Sequence, residues 1–253
     1  MTMLCPFVYF GVKDKEIDGQ LIDEKSNISN LTSDERVKHI LNKIDFYGVC
    51  NNQVRGLIFC SSKAEARELS IKLNQHGKRT IALTGDDDIN YREKVVKQLE
   101  DGELEYILTV DIFNEGIDIP SVNQVVMLRN TQSSIIFVQQ LGRGLRKHKS
   151  KDYVTIIDFI GNYKNNYLIP IALFGDKSMN KDNYRRELRE PNILSGLTTV
   201  NFEEVAKEQI FKSITNTVLS NMKILKDAYT DLENKLGRTP MLIDHLTFDN
   251  IDP

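Results

Sequence analysis

The stretch VRGLIFCSSKAEARELSIKLNQHGKRTIALTG, residues 54–85, decides the fold. It opens with a short apolar run, Gly56 to Cys60, and closes with another, Thr80 to Leu83. Between them lies a stretch of helical length. Ser62 with Glu65 three residues on forms a capping box that starts a helix, and Gly77 supplies its C-terminal stop. Strand, helix and strand in this order read as a β-α-β unit.

Working outward, the alternation continues to Asp158. Further strands are expected at residues 106–110, 124–128 and 154–157, with a helix over residues 91–100 closed by Gly102. The strands are continuously apolar, so both sheet faces are expected to be covered, as in a parallel sheet. Upstream, Thr32 with Glu35 forms a capping box, and Val37, Ile40, Leu41 and Ile44 share one face of a helix over residues 33–47. Leu4 to Val12 reads as an edge strand or a linker. After Phe159 the alternation stops. Helical spacing returns at Phe202, Val205, Ala206, Ile210 and Ile214, and again at Leu225, Ala228, Leu232 and Leu236 before Gly237 and Pro240. The expected organisation is a linker and helix in residues 1–50, an α/β domain in residues 51–175, and a helical extension, cut short, in residues 176–253.

The 253 residues are 40% hydrophobic and 27% charged, as suits an ordinary domain with a smaller appendage. No apolar run reaches the roughly 18 residues of a membrane span and no secretory signal opens the chain, so a cytoplasmic protein without membrane contact is expected. Cys5, Cys50 and Cys60 never form a C-x-x-C pair, and the four histidines are scattered, so no metal site is expected. The net charge of −3 argues against a wholly basic nucleic-acid wrapper. It leaves local basic strips at Arg143, Arg146, Lys147, Lys149 and Lys151, and at Arg185, Arg186 and Arg189.

Ligands of parallel sheets gather beyond the C-terminal strand ends. Four loops there carry chemistry. Ser61 and Ser62 follow the first strand; Thr84, Gly85 and three aspartates follow the second. These hydroxyls suit a phosphate backbone, and equally a helix cap. The run Asp86-Asp87-Asp88 suits the start of a helix better than a metal, with Asp88 as cap. In the third loop Gly116 permits close backbone approach and Asp118 offers a carboxylate to a sugar hydroxyl; its plain alternative is a turn ended by Pro120. In QQLGRGLR, residues 139–146, Arg143 and Arg146 stand three apart, so on a helical turn both guanidinium groups can grip one anion. The same G-R-G pattern occurs in ordinary loops. No G-x-x-x-x-G-K-[ST] loop and no G-x-G-x-x-G occur in these 253 residues.

The order of these motifs resembles the C-terminal RecA-like domain of superfamily 2 DEAD/DEAH-box and restriction-type helicases. Gly56 to Ser61 looks like motif IV; Leu83-Thr84-Gly85 with Arg92 resembles the loop and helix after it; Ile107 to Pro120 looks like motif V and Gln139 to Arg146 like motif VI. Leu4 to Val12 and Leu236 to Pro240 further resemble segments flanking this domain in a bacterial helicase group with an additional C-terminal domain. Gln140 departs from the arginine common in motif VI, and Val110 from the threonine of many motifs V.

The resemblance implies a RecA-like parallel sheet flanked by helices, with a helical C-terminal appendage. It implies that Arg143 and Arg146 are arginine fingers, that Gln139 lies near the γ-phosphate, and that Gly116 and Asp118 approach the nucleotide. Ser61, Thr84 and Gly85 would touch the tracked strand. ATP and Mg would be held mainly by an N-terminal RecA-like domain outside these residues, leaving this chain inactive alone. The nucleic acid implied is DNA. From the residues alone, two other readings stay open. One is a non-catalytic module binding nucleic acid or protein. The other is a self-contained α/β enzyme, for which no nucleophile-base pair is present.

Overall fold

The structure, a computed structural model, describes residues 5–110, 119–129, 146–174, 180–189, 193–194, 198–216, 229 and 239. The expected sites at Gly116, Asp118, Gln139 and Arg143, and the helical positions Leu225, Ala228, Leu232 and Leu236, fall outside the described residues. The chain divides into two compact units, Met1–Thr215 and Asn216–Pro253.

The first unit is built on an eight-stranded sheet in the order β5-β6-β4-β7-β8-β1-β10-β9. The strands are β1 (Phe7–Lys13), β4 (Gly56–Phe59), β5 (Thr80–Leu83), β6 (Tyr106–Thr109), β7 (Gln124–Met127), β8 (Val154–Ile160), β9 (Ile193–Leu194) and β10 (Thr198–Phe202). A separate two-stranded ribbon joins β2 (Glu16–Ile17) to β3 (Gln20–Leu21). Its turn, Asp18-Gly19, has positive φ at both residues, the hairpin geometry that Asp-Gly favours. Every neighbour pair in the large sheet is parallel except β9 with β10. β4, β6, β7 and β8 are buried along their whole length, as expected of strands covered on both faces.

The helices are α1 (Ile28–Leu31), α2 (Asp34–Tyr47), α3 (Lys63–Gln75), α4 (Ile89–Asp101), α5 (Leu168–Phe174), α6 (Lys181–Arg189) and α7 (Glu204–Asn216). None among the described residues is long and apolar enough to cross a membrane. α2 lays Val37, Ile40 and Ile44 into the core beside Ala66, Leu69 and Leu73 of α3, against Ile58, Leu108, Val126 and Ile157 of the sheet. Its cap differs from expectation by one residue. Ser33 accepts from the Arg36 N–H, while Thr32 closes the short α1 before it. α3 and α4 stop at glycines as their sequences indicate. Gly77 and Gly102 both have left-handed φ, and the N–H groups of Lys78 and Glu103 return to Leu73 and Gln98.

Two strands depart from the sequence reading. β1 is an interior strand, paired with β8 on one side and β10 on the other, where an edge strand or linker was expected. β10 continues the sheet from a region read as helical; Phe202, counted there as the start of a helical face, is its last residue. The helix itself, α7, begins two residues later and buries Ala206, Ile210 and Ile214, but leaves Val205 exposed. Residues from all three expected segments thus contribute strands to one sheet. The reason is legible in the packing: Phe202 lies over Gly11 and beside Tyr9, with ring centroids 5.4 Å apart. A strand of five residues with one aromatic gives too short a period-2 signal to be read alone.

A Cβ on Gly11 would lie 2.3 Å from Phe202 Cδ1 and 3.0 Å from Ile160 Cδ1. Gly11→Ala is therefore expected to destabilise the fold by about 1–3 kcal/mol in urea titrations, as overpacking does. Adding Phe202→Ala should give a double variant less damaged than the sum of the two. A second core feature responds to pH. Tyr9 donates to Asp158 Oδ2 at 2.5 Å, and burial raises the Asp158 carboxyl from 3.8 to about 7, with Asp14 adding to the rise against the Tyr9 hydrogen bond. A buried acid with a raised pKa favours the folded state while protonated and loses that contribution as pH climbs. Stability should fall between pH 3.8 and about 7, and Asp158→Asn should flatten that part of the profile.

Candidate nucleic-acid interface

Parallel topology places the C-terminal ends of β5, β6, β4 and β7 side by side at one edge of the sheet. The loops of interest leave from that edge: Cys60 to Ser62 after β4, Thr84 to Asp88 after β5, and Leu128 and Arg129 after β7. Residues 111–118 follow β6 in sequence.

The loop after β4 is fixed by a buried ionic network. Arg36 of α2 is fully buried and places all five of its N–H donors. Nε and one NH2 donor hold Asp14 in a bidentate pair at 3.0 and 2.8 Å. NH1 reaches Glu65 and the Leu31 carbonyl, both at 2.8 Å, and NH2 reaches the Leu128 carbonyl at 3.4 Å. Burial alone would pull the guanidinium down, but Asp14 and then Glu65 hold it above its ordinary value. The other Glu65 oxygen accepts from the Ser61 N–H at 2.7 Å and the Ser61 hydroxyl at 2.6 Å. Ser62 is the helix cap, accepting from the Glu65 N–H at 3.1 Å. The capping box read from Ser62 and Glu65 is therefore offset, with the carboxylate reaching back to Ser61. Ser61 stays exposed.

The loop after β5 is held in a similar way. Asp87 accepts from the Thr84 N–H at 2.6 Å and from its hydroxyl at 3.2 Å, and Asp88 caps α4 by accepting from the Tyr91 N–H at 3.0 Å. Arg92 donates to the Gly85 carbonyl at 2.8 Å. Thr84 is buried and Gly85 exposed. Gly85 has no left-handed φ, and a Cβ built on it meets nothing within 4 Å. Among the described residues neither backbone conformation nor packing calls for glycine there.

The two loops meet through α3. Arg67 NH2 lies 3.4 Å from Thr84 Oγ1, and Lys63 Nζ lies 2.6 Å from Asp86 Oδ1. Ser61, Thr84 and Gly85 are thus brought to one edge. Each of the three aspartates has a structural partner, and among the described residues no group of three His, Cys, Asp or Glu side chains is placed to hold a metal. Arg146 is exposed and stands two residues before His148, which bridges to Lys151. A depression lined by Cys5, Pro6, Lys147, His148, Lys149, Lys151 and Asp152 lies at the opposite, N-terminal ends of β1 and β8.

Sequence reading missed Arg36, Asp14 and Lys63. Arg36 had a signal: it stands four and eight residues before Ile40 and Ile44, so a charge sits on the apolar stripe of α2. Replacing Arg36 by Met should remove about 3–5 kcal/mol of stability, because Asp14 and Glu65 are left buried and unpaired. Circular dichroism melts would read this. Loss of less than about 1 kcal/mol would mean that the network relaxes to solvent.

Residues 35–148 match the family described as helicase conserved C-terminal domain, and residues 225–253 match a domain of unknown function (DUF8090). A Saccharomyces cerevisiae protein named as an ATP-dependent helicase, IRC3, is 30% identical over 167 residues, 62% of this chain; the chain spans 24% of that protein's length. Among solved structures, the C-terminal domain of the DEAD-box protein Dbp5 has a TM-score of 0.51 at 15% identity, covering 82% of this chain and 97% of that one. The ATP-dependent Type ISP restriction-modification enzyme LlaBIII, solved bound to DNA, has a TM-score of 0.52 at 19% identity over 98% of this chain and 20% of its own. These structures share the RecA-like fold of a parallel sheet flanked by helices. Over residues 35–148, then, this chain is similar to the helicase conserved C-terminal domain, on a fold shared with helicase-type motor domains.

Proposed function

We propose that this chain is the second motor domain of an ATP-dependent nucleic-acid helicase or translocase acting in the cytoplasm. It works against a first RecA-like domain that holds ATP and Mg. The observation that carries this reading is the shared edge of the sheet: Ser61, Thr84 and Gly85 converge there, and Gly85 opens onto unfilled space. The helicase domain match and the lack of a phosphate loop in the sequence support it. A motor half without such a loop needs a partner that has one, because the loop's backbone, Lys and Ser/Thr bind phosphates and Mg.

In this scheme Arg143 and Arg146 enter the partner's ATP site and offset charge on the transferred phosphoryl group, with Gln139 beside the attacking water. Gly116 and Asp118 approach the nucleotide sugar. ATP binding draws the two domains together, hydrolysis lets them part, and the contacts at Ser61, Thr84 and Gly85 move along the strand. The strand is DNA, on the restriction-type resemblance of the motif order.

The test is nucleic-acid-stimulated ATP hydrolysis by the full-length protein. Arg143→Ala and Arg146→Ala should each lower kcat by roughly 10³-fold or more while ATP still binds. This chain alone should be inert, and single-stranded DNA should stimulate more than RNA. Unchanged turnover in both variants, or hydrolysis by the chain alone, would sink the scheme; stronger stimulation by RNA would overturn the choice of strand.

A further inference from the structure

Lys63 is the first residue of α3, and Arg67 stands one turn on, so both project from the same helix face toward the loop after β5. There they share one carboxylate. Lys63 Nζ is 2.6 Å from Asp86 Oδ1, and Arg67 NH2 is 3.6 Å from Asp86 Oδ2. All three side chains are open to water, 49%, 58% and 60% exposed, so the cluster contributes little to stability. It nonetheless occupies a place, among the described residues, where the two strand-contact loops meet. Arg67 also reaches the Thr84 hydroxyl, and Gly85 beside Asp86 leaves open space above the chain.

Resting on the strand-contact reading of Ser61, Thr84 and Gly85, we propose that Asp86 stands in for a nucleic-acid phosphate. It holds Lys63 and Arg67 in position until a backbone phosphate displaces it. A carboxylate and a phosphate offer the same acceptor geometry to a guanidinium and an ammonium. The exchange is cheap because an exposed pair is weak, and it is favoured by α3, whose N-terminus at Ser62 attracts an anion. The Asp86 carboxyl is kept below its ordinary range by the Lys63 hydrogen bond and charge, with Arg67 adding to them, so the competitor is ionised at every working pH. The arrangement tunes grip. A motor domain that must release its strand in each cycle gains from cations whose unbound state is already satisfied.

The experiment is fluorescence anisotropy of the chain with a single-stranded oligothymidine of about 20 nucleotides over a range of salt. Asp86→Asn should bind roughly two- to fivefold more tightly. Its plot of log affinity against log salt should steepen by about 0.7 to 1.4, one or two more phosphates neutralised. Asp45→Asn is the control for bulk charge: it frees Lys78, 20% exposed, from an ion pair at the far end of the sheet, and should leave affinity and slope near wild type. In a Lys63→Ala, Arg67→Ala background the Asp86→Asn gain should vanish. Asp86→Asn binding no more tightly than Asp45→Asn, or a gain that survives removal of both cations, overturns the stand-in role. Gly85→Leu separates this from the underlying reading. Weakened binding there with an unresponsive Asp86 sinks the stand-in role alone, whereas unaltered binding of Gly85→Leu sinks the strand-contact reading and the proposal with it.

Discussion

The Arg36 guanidinium is the constraint on which the rest of the unit depends. It joins four separate pieces of chain: the residue after β1, the end of α1, the first turn of α3 and the residue after β7. Each is a strand end or a helix terminus, so one planar cation fixes how β1 and β7 end and, through Glu65, how the loop after β4 leaves the sheet. A buried charge of this kind is tolerable only when every donor and both partner carboxylates are satisfied, and here they are. A hydrophobic replacement of equal volume could fill the space, but it would not orient Glu65. Glu65 is what aims Ser61 outward.

The same logic of borrowed polar groups runs through the neighbouring loops. Asp87 satisfies Thr84, Arg92 satisfies the Gly85 carbonyl, and Asp88 satisfies the first turn of α4. At this edge the side chains bond to their own backbone. In the proposed strand-contact role that would keep contacts in register as a repeating phosphate chain shifts. On the far side of the core, Gln124 plays the matching structural part. It accepts from the Tyr106 hydroxyl and donates to the Gly48 carbonyl, tying the end of α2 to the sheet.

Much of this was legible in the sequence. The five central strands, the helices between them and their glycine stops follow from continuous apolar runs and clear stop signals, and the structure places them within about three residues of the reading. Ser61, Thr84 and Gly85 were legible for a different reason: strand order puts them at one edge whatever their side chains do. β1 and β10 were not. Their partners lie far away in sequence, and no local period tells an interior strand from an edge one. Lys63 was not either, because its meaning comes only from facing Asp86 across two loops.

The position of β1 has a consequence for how the chain acquires its shape. Tyr9 is synthesised well before its hydrogen-bond partner Asp158, which is 149 positions later, and Lys13 waits 190 positions for Glu203. At synthesis rates of about 5–20 residues per second, the strand waits roughly 7 to 30 seconds for β8 to be made. Loop closure of that length is slow, and an unpaired apolar strand invites pairing with other nascent chains. The Gly11 at its centre and the small Asp-Gly ribbon after it therefore sit in the part of the molecule most exposed to misassembly. Completion of the sheet is deferred until nearly all of the first unit has been made.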